Sequence, residues 1–184
     1  DIELDKSIFI YDIDATIAHI KGLSSIGIIK KNELAKLIKS LKELRLKFLI
    51  GKFKLTEKYE DCHSAIEFYL TKELGELGKK VHTGRSRNDQ VLVAMRLFAK
   101  KNLIDFKKSN KSIAKVLLKM ANKYEKTLMP GYTHLQRAMP SSWGLWFASY
   151  AESFIDNIDL INSTIEWIDS NPLGSAAGYG VALP

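Results

Sequence analysis

The sequence predicts an all-α protein built from long helices packed as a bundle. Two observations carry this. Between Arg85 and Met129 there is neither glycine nor proline across 45 residues, while apolar side chains recur at helical spacing. A second long segment begins near Pro140 and carries Trp143, Trp146 or Phe147, Tyr150, Phe154, Ile158, Ile161, Ile165 and Ile168. With 4 Pro and 11 Gly in 184 residues, the chain is also too poor in turn formers for a loop-rich β sandwich. No alternating strand pattern rises above background, and no internal repeat is present.

The elements follow in order. Ile10, Ile13, Ile17 and Ile20 recur at three and four, which predicts a helix that Gly22 interrupts. Asn32 is a good N-cap for a helix whose apolar stripe is Leu34, Leu37, Ile38, Leu41 and Leu44. Cys62, Ile66, Leu70 and Leu74 lie four apart, and Gly75 is placed to cap that helix at its C-terminal end. The segment after Arg85, taken as mostly one helix, would run about 60 Å at the standard rise. The second long segment ends at Asn171-Pro172. Helices of such length carry wide apolar faces that the rest of a short chain does not cover, so an oligomeric bundle of antiparallel helices is expected.

Composition narrows the class further. Apolar residues make up 46% and charged residues 27%, as in a soluble globular chain. A single cysteine, Cys62, excludes an internal disulfide framework and fits a reducing compartment. No apolar run approaches the ~20 residues that span a bilayer, and Asp1-Ile2-Glu3 does not open a signal peptide, so the expectation is a cytoplasmic protein without a membrane partner. The net charge of +7 is unevenly spread. From Lys72 to Lys126 there are fifteen basic and five acidic residues, whereas Ala138 to Pro184 holds five acids and no Lys or Arg. Lysines at helical spacing without interleaved aromatics describe a solvated helix face better than a nucleic-acid groove, so no nucleic-acid partner is expected.

Three polar stretches break the helical pattern. His82-Thr83-Gly84-Arg85-Ser86-Arg87-Asn88-Asp89-Gln90 opens the longest helix. Helix N-termini present unpaired N–H groups and a positive dipole end, and two guanidinium forks beside them suit carboxylates or phosphates. The competing reading is a capped helix start, with Ser86 or Asn88 as cap and solvated arginines. The second stretch, Pro130-Gly131-Tyr132-Thr133-His134-Leu135-Gln136-Arg137-Ala138-Met139-Pro140, is a tight connection between the long helices, in which His134 has the chemistry to move a proton. The third, Asn171 to Gly180, is glycine-rich but lacks dinucleotide spacing and a preceding strand, so it reads as a connector. His19, His63, His82, His134 and Cys62 show no zinc-type pairing, which leaves no metal site expected; His63 reads as a satisfied interior histidine.

HTGRSRNDQ, His82 to Gln90, resembles the signature of the argininosuccinate lyases within the fumarase/aspartase superfamily, and GYTHLQRAMP, Gly131 to Pro140, resembles the same family's second block. Tyr11-Asp12-Ile13, Ala18-His19, Glu60-Asp61-Cys62-His63 and Asn171 to Gly180 also fall where that family has similar segments. The resemblance implies an all-α homotetramer with shared active sites, an N-terminal helical domain over 1–80 and the start of the central bundle over 81–184. It implies reversible β-elimination of argininosuccinate to arginine and fumarate, the last step of arginine biosynthesis, without metal or cofactor. Ser86, Arg87 and Asn88 would hold substrate carboxylates, Thr133 would do so from another subunit, Gln136 matches the binding motif, and His134 would take part in proton transfer. His63, Arg85 and Asp89 would support the site, as would Asp1, which stands where family members usually place a substrate-binding serine. The family's mobile loop with its catalytic serine corresponds to sequence beyond Pro184, so the chain is expected to be an N-terminal portion, inactive alone. The competing expectation is a non-catalytic, crystallin-like structural relative.

Overall fold

The computed structural model describes residues 2–176 and 178–183, and it forms two compact units, 1–99 with 170–184 and 100–169. In chain order the elements are α1 (Ile2–Asp5), α2 (Phe9–Ser25), α3 (Lys31–Leu49), α4 (Cys62–Leu74), α5 (Glu76–Lys79), a 3-10 turn (Lys80–His82), α6 (Arg87–Lys123), β1 (Leu128–Thr133), β2 (Gln136–Ser142) and α7 (Trp143–Ile168).

In the first unit α2, α3 and α4 pack around one apolar core. Phe9, Ile13 and Ile20 of α2, Leu37, Leu41 and Leu44 of α3, and Cys62, Ile66 and Leu70 of α4 are fully or almost fully buried. Their three- and four-residue spacing places each set on one helix face. Phe9 stacks on Phe53, at 5.7 Å between ring centroids. Gly78 is where α5 crosses the end of α4: a Cβ there would lie 2.4 Å from the Leu70 carbonyl carbon and oxygen. Because that obstacle is backbone, Gly78→Ala is expected to destabilise the fold by roughly 1–3 kcal/mol, read as a lower urea midpoint.

Two helix boundaries differ from the sequence reading. Helix α2 runs through Gly22, where nothing stands within 4 Å, and ends only before Gly27 at φ +82°. One glycine costs a helix about 1 kcal/mol, less than the burial of Ile20 and Leu23 on its last turns returns. Helix α3 begins at Lys31 rather than after Asn32; Glu33 reaches back to accept from the Lys30 N–H at 2.8 Å, and Asn32 lies inside the first turn. Gly75, at φ +60°, terminates α4 as expected, its N–H donating to the Thr71 carbonyl.

In the second unit α7 returns antiparallel to the C-terminal part of α6. Gly144 permits the approach, since a Cβ would lie 2.5 Å from the Glu125 Cα. Tyr124 packs on Phe147, and at the other end Lys100 pairs with Asp169 at 2.7 Å. Ser142 caps α7 by accepting from the Leu145 N–H, at 3.1 Å. Large apolar side chains, among them Val116, Leu118, Leu145, Leu160 and Trp167, stay exposed on this unit.

The connection between the long helices corrects the expectation that no strand is present. β1 and β2 pair antiparallel, with Thr133 opposite Gln136 and a register shift between Pro130 and Tyr132. Prolines and Gly131 exclude helix there, and strand alternation is illegible because no residue of either strand is buried and most are exposed. His134 and Leu135 form the two-residue turn with φ of +49° and +63°. Such turns favour Asn-Gly, so a His-Leu pair carries backbone strain at the tip. Leu135→Gly is expected to stabilise the unit by about 0.5–1 kcal/mol, measured by thermal unfolding; a lower Tm would contradict the strain.

Candidate carboxylate-binding site

The first polar stretch leads into α6. Ser86 is its N-cap: the Asp89 N–H donates to Ser86 Oγ at 3.4 Å, while Asp89 Oδ2 accepts from the Ser86 N–H at 2.8 Å. This reciprocal capping fixes the first turn and leaves the N–H groups of Arg87 and Asn88 without an intrahelical acceptor. Gly84, at φ +74°, supplies the left-handed conformation that turns the chain into the helix.

The two arginines of this turn have different fates. Arg87 is partly exposed; its Nε pairs with Asp61 Oδ2 at 3.0 Å and its Nη1 donates to Gln90 Oε1 at 3.0 Å. Held at two of its three nitrogens, the guanidinium is oriented at the helix start beside exposed Asn88. Asp61 does this while capping α4, its Oδ1 accepting from the Ser64 N–H at 2.6 Å. Arg85 is buried: Nη1 and Nη2 donate to Thr16 Oγ1 at 3.3 and 3.4 Å, and Nη2 also donates to the Val81 carbonyl at 2.8 Å. Neither arginine is a freely solvated side chain. Asp89 is buried as well.

His63 is buried, with Nδ1 donating to Asp12 Oδ2 at 2.6 Å. Together with Cys62 these residues bring three ligand-type atoms within 4.8 Å of one another. Metal binding needs a thiolate, and burial, followed by the nearby Asp12 charge, pushes the Cys62 thiol well above its ordinary range. Its donor set suits a packed core better than a cation. His19, on α2, donates from Nε2 to the Thr83 carbonyl at 2.8 Å. Burial first, and the Arg85 charge second, hold its imidazole below the ordinary value; burial does the same to His82. The unfolded chain therefore takes up protons as pH falls through about 6.5 while the folded chain resists, so stability present above that pH is lost below it. Tm should drop between about pH 7.5 and about pH 5.5, and His19→Gln should flatten that drop; an unchanged slope would remove His19 from the linkage.

Thr133, His134 and Gln136 lie at the hairpin tip of the second unit, all exposed. Asp1 lies outside the described residues. Sequence reasoning assigned no role to Asp61, Thr16 or His19; for Asp61 the available signal was an acid immediately before the first residue of an apolar-periodic helix.

A hydroxyl, an oriented guanidinium and a carboxamide thus stand together around N–H groups without an intrahelical acceptor, at the start of a long helix in a mostly helical chain. The comparisons give the class of protein. The family described as "Lyase" matches residues 2–184, and the chain belongs to it. Over all 184 residues it is 50% identical to an argininosuccinate lyase of Stenotrophomonas maltophilia (strain K279a) and 52% identical to one of Xanthomonas euvesicatoria pv. vesicatoria (strain 85-10). It spans 43% of the length of each of these curated relatives. Among solved structures, a variant of EDDS lyase with bound fumarate superposes with a TM-score of 0.85 at 26% identity, covering 98% of this chain and 35% of that one. A fumarate lyase from Mesorhizobium sp. BNC1 shares the fold, with a TM-score of 0.77 at 21% identity over 95% of this chain and 41% of that one. The all-α long-helix fold of the fumarase/aspartase type expected from the sequence is thus the fold observed, with the hairpin added to it.

Proposed function

We propose that the full-length protein is an argininosuccinate lyase, cleaving argininosuccinate reversibly to arginine and fumarate as the last step of arginine biosynthesis. The observation that carries this is the Ser86-Arg87-Asn88 turn, an oriented group of donors at the start of α6, within a chain half identical to argininosuccinate lyases over its whole span.

The chemistry asks for such a group. A proton leaves the carbon next to a carboxylate, negative charge builds on that carboxylate, and the bond from the neighbouring carbon to the guanidino nitrogen breaks as that nitrogen regains a proton. Preorganised donors aimed at the developing dianion lower the barrier, and they act without reorganising at the moment of reaction. Ser86, Arg87 and Asn88 are the carboxylate donors in this reading, with Thr133 and Gln136 contributing from the hairpin and His134 taking part in proton transfer. The strained turn that presents His134 supports this, since such strain concentrates at functional sites. Asp89 supports the site by capping the turn, and His63 by holding Asp12. Asp1 remains part of the proposal through the family resemblance alone.

The exposed apolar faces of α6 and α7 support a homotetramer in which central helices are shared and each active site draws on several subunits. In that assembly residues 1–80 form the N-terminal domain and 81–184 begin the bundle. No helix among the described residues is long and apolar enough to cross a membrane, and a cytoplasmic location is part of the same proposal. Metal and organic cofactor play no part in it. The test is fumarate release from argininosuccinate by the purified full-length protein. Turnover would sustain the reading; a folded tetramer that releases none would favour the crystallin-like alternative.

A further inference from the structure

Helix α2 buries polar residues where apolar ones would pack. Asp12, Thr16 and His19 stand at i, i+4 and i+7, so they share one face, and Asp12 and Thr16 are essentially inaccessible to solvent. Burying such groups costs free energy unless they are bonded, and each is. Two of the three, Thr16 and His19, bond to one short segment remote in sequence, and Asp12 backs Thr16. Thr16 Oγ1 accepts from both terminal nitrogens of Arg85, His19 Nε2 donates to the Thr83 carbonyl, and Thr16 Oγ1 donates to Asp12 Oδ1 at 3.5 Å. Asp12 is held in turn by His63, and its charge opposes that of buried Arg85. The segment so held, Thr83 to Arg85, runs directly into Ser86, Arg87 and Asn88.

We propose that the Asp12–Thr16–His19 stripe of α2, acting through Arg85 and the Thr83 carbonyl, is a positioning rail that sets the carboxylate-binding turn at the start of α6. Arg85 is therefore a positioning residue and not a substrate contact: its guanidinium is spent inward, on Thr16 and the Val81 carbonyl. The rail fixes the turn at two points flanking Gly84, a residue whose lack of a Cβ makes its backbone permissive. A displacement of about 1 Å in such a site is enough to cost about a hundredfold in rate.

The functional side of this inference rests on the lyase reading, so the test has two arms on the full-length protein. Thr16→Val and His19→Leu each remove one link, while Thr16→Ser and His19→Gln keep a donor or acceptor in place. In the first arm, hydrogen exchange of the Ser86 and Asp89 amides should quicken by about tenfold in the Val and Leu variants, stay near wild type in the Ser and Gln variants, and leave the amides of α3 unchanged. In the second, kcat/KM for argininosuccinate should fall by about tenfold or more in Val and Leu, with recovery in Ser and Gln. Exchange that quickens uniformly across the molecule, or a loosened turn with unchanged kcat/KM, would overturn the rail. A wild-type protein without activity would overturn the lyase reading, and the exchange arm would still decide whether the turn is held from α2.

Discussion

Arg87→Lys in the full-length protein is expected to lower kcat/KM for argininosuccinate by at least about tenfold. The guanidinium is held at Nε by Asp61 and at Nη1 by Gln90, so its plane is set before substrate arrives. Lysine keeps the charge but has neither the fork nor the second anchoring donor. Charge-assisted hydrogen bonds are worth ~1.5–3 kcal/mol each, so loss of one such bond to the substrate carboxylate already exceeds a factor of ten. Because that carboxylate gains charge as the proton leaves, the deficit should appear in kcat as well as in KM. Lys39→Ala is the control: its side chain is 80% exposed and its nearest acid, Glu43, is 4.0 Å away, a pair that contributes little. Equal and small effects in both variants would take Arg87 out of the site.

His134→Gln should be costlier, lowering kcat by about a hundredfold or more, the scale on which a positioned proton-transfer group contributes. Stability offers a clean separation. His134 is exposed at the hairpin tip, so its replacement removes no core contact and Tm should stay within about 1 °C of wild type. A His134→Gln protein retaining a third or more of the wild-type kcat would exclude His134 from proton transfer. Lowered activity accompanied by a lowered Tm would mark a role in the turn instead.

Much of the fold is legible in the sequence, because helical periodicity is a local signal. Leu37, Leu41 and Leu44, or Cys62, Ile66 and Leu70, announce the buried face of their helices through spacing alone, and Gly75 announces an end. The hairpin was not legible: with no residue of β1 or β2 buried, packing imposes no apolar–polar alternation on them. Nor was the passage of α2 through Gly22, where tertiary burial on the following turn outweighs a local propensity.

The candidate site divides in the same way. Residue types and their order were enough to single out the Ser86-Arg87-Asn88 turn and the Thr133-His134 tip, since donors crowded at a helix start or in a proline-bracketed connection carry their chemistry in the local sequence. The fate of each side chain was not readable there. Arg85 and Arg87 stand two residues apart in identical company, yet one is buried against Thr16 and the other faces outward from Asp61. Those partners lie 69 and 26 positions away in the chain. Spacing within a segment describes the face of one helix, whereas ion pairs and buried hydrogen bonds depend on which helix that face meets. Only the packing of α2, α4 and the start of α6 around a common core decides that.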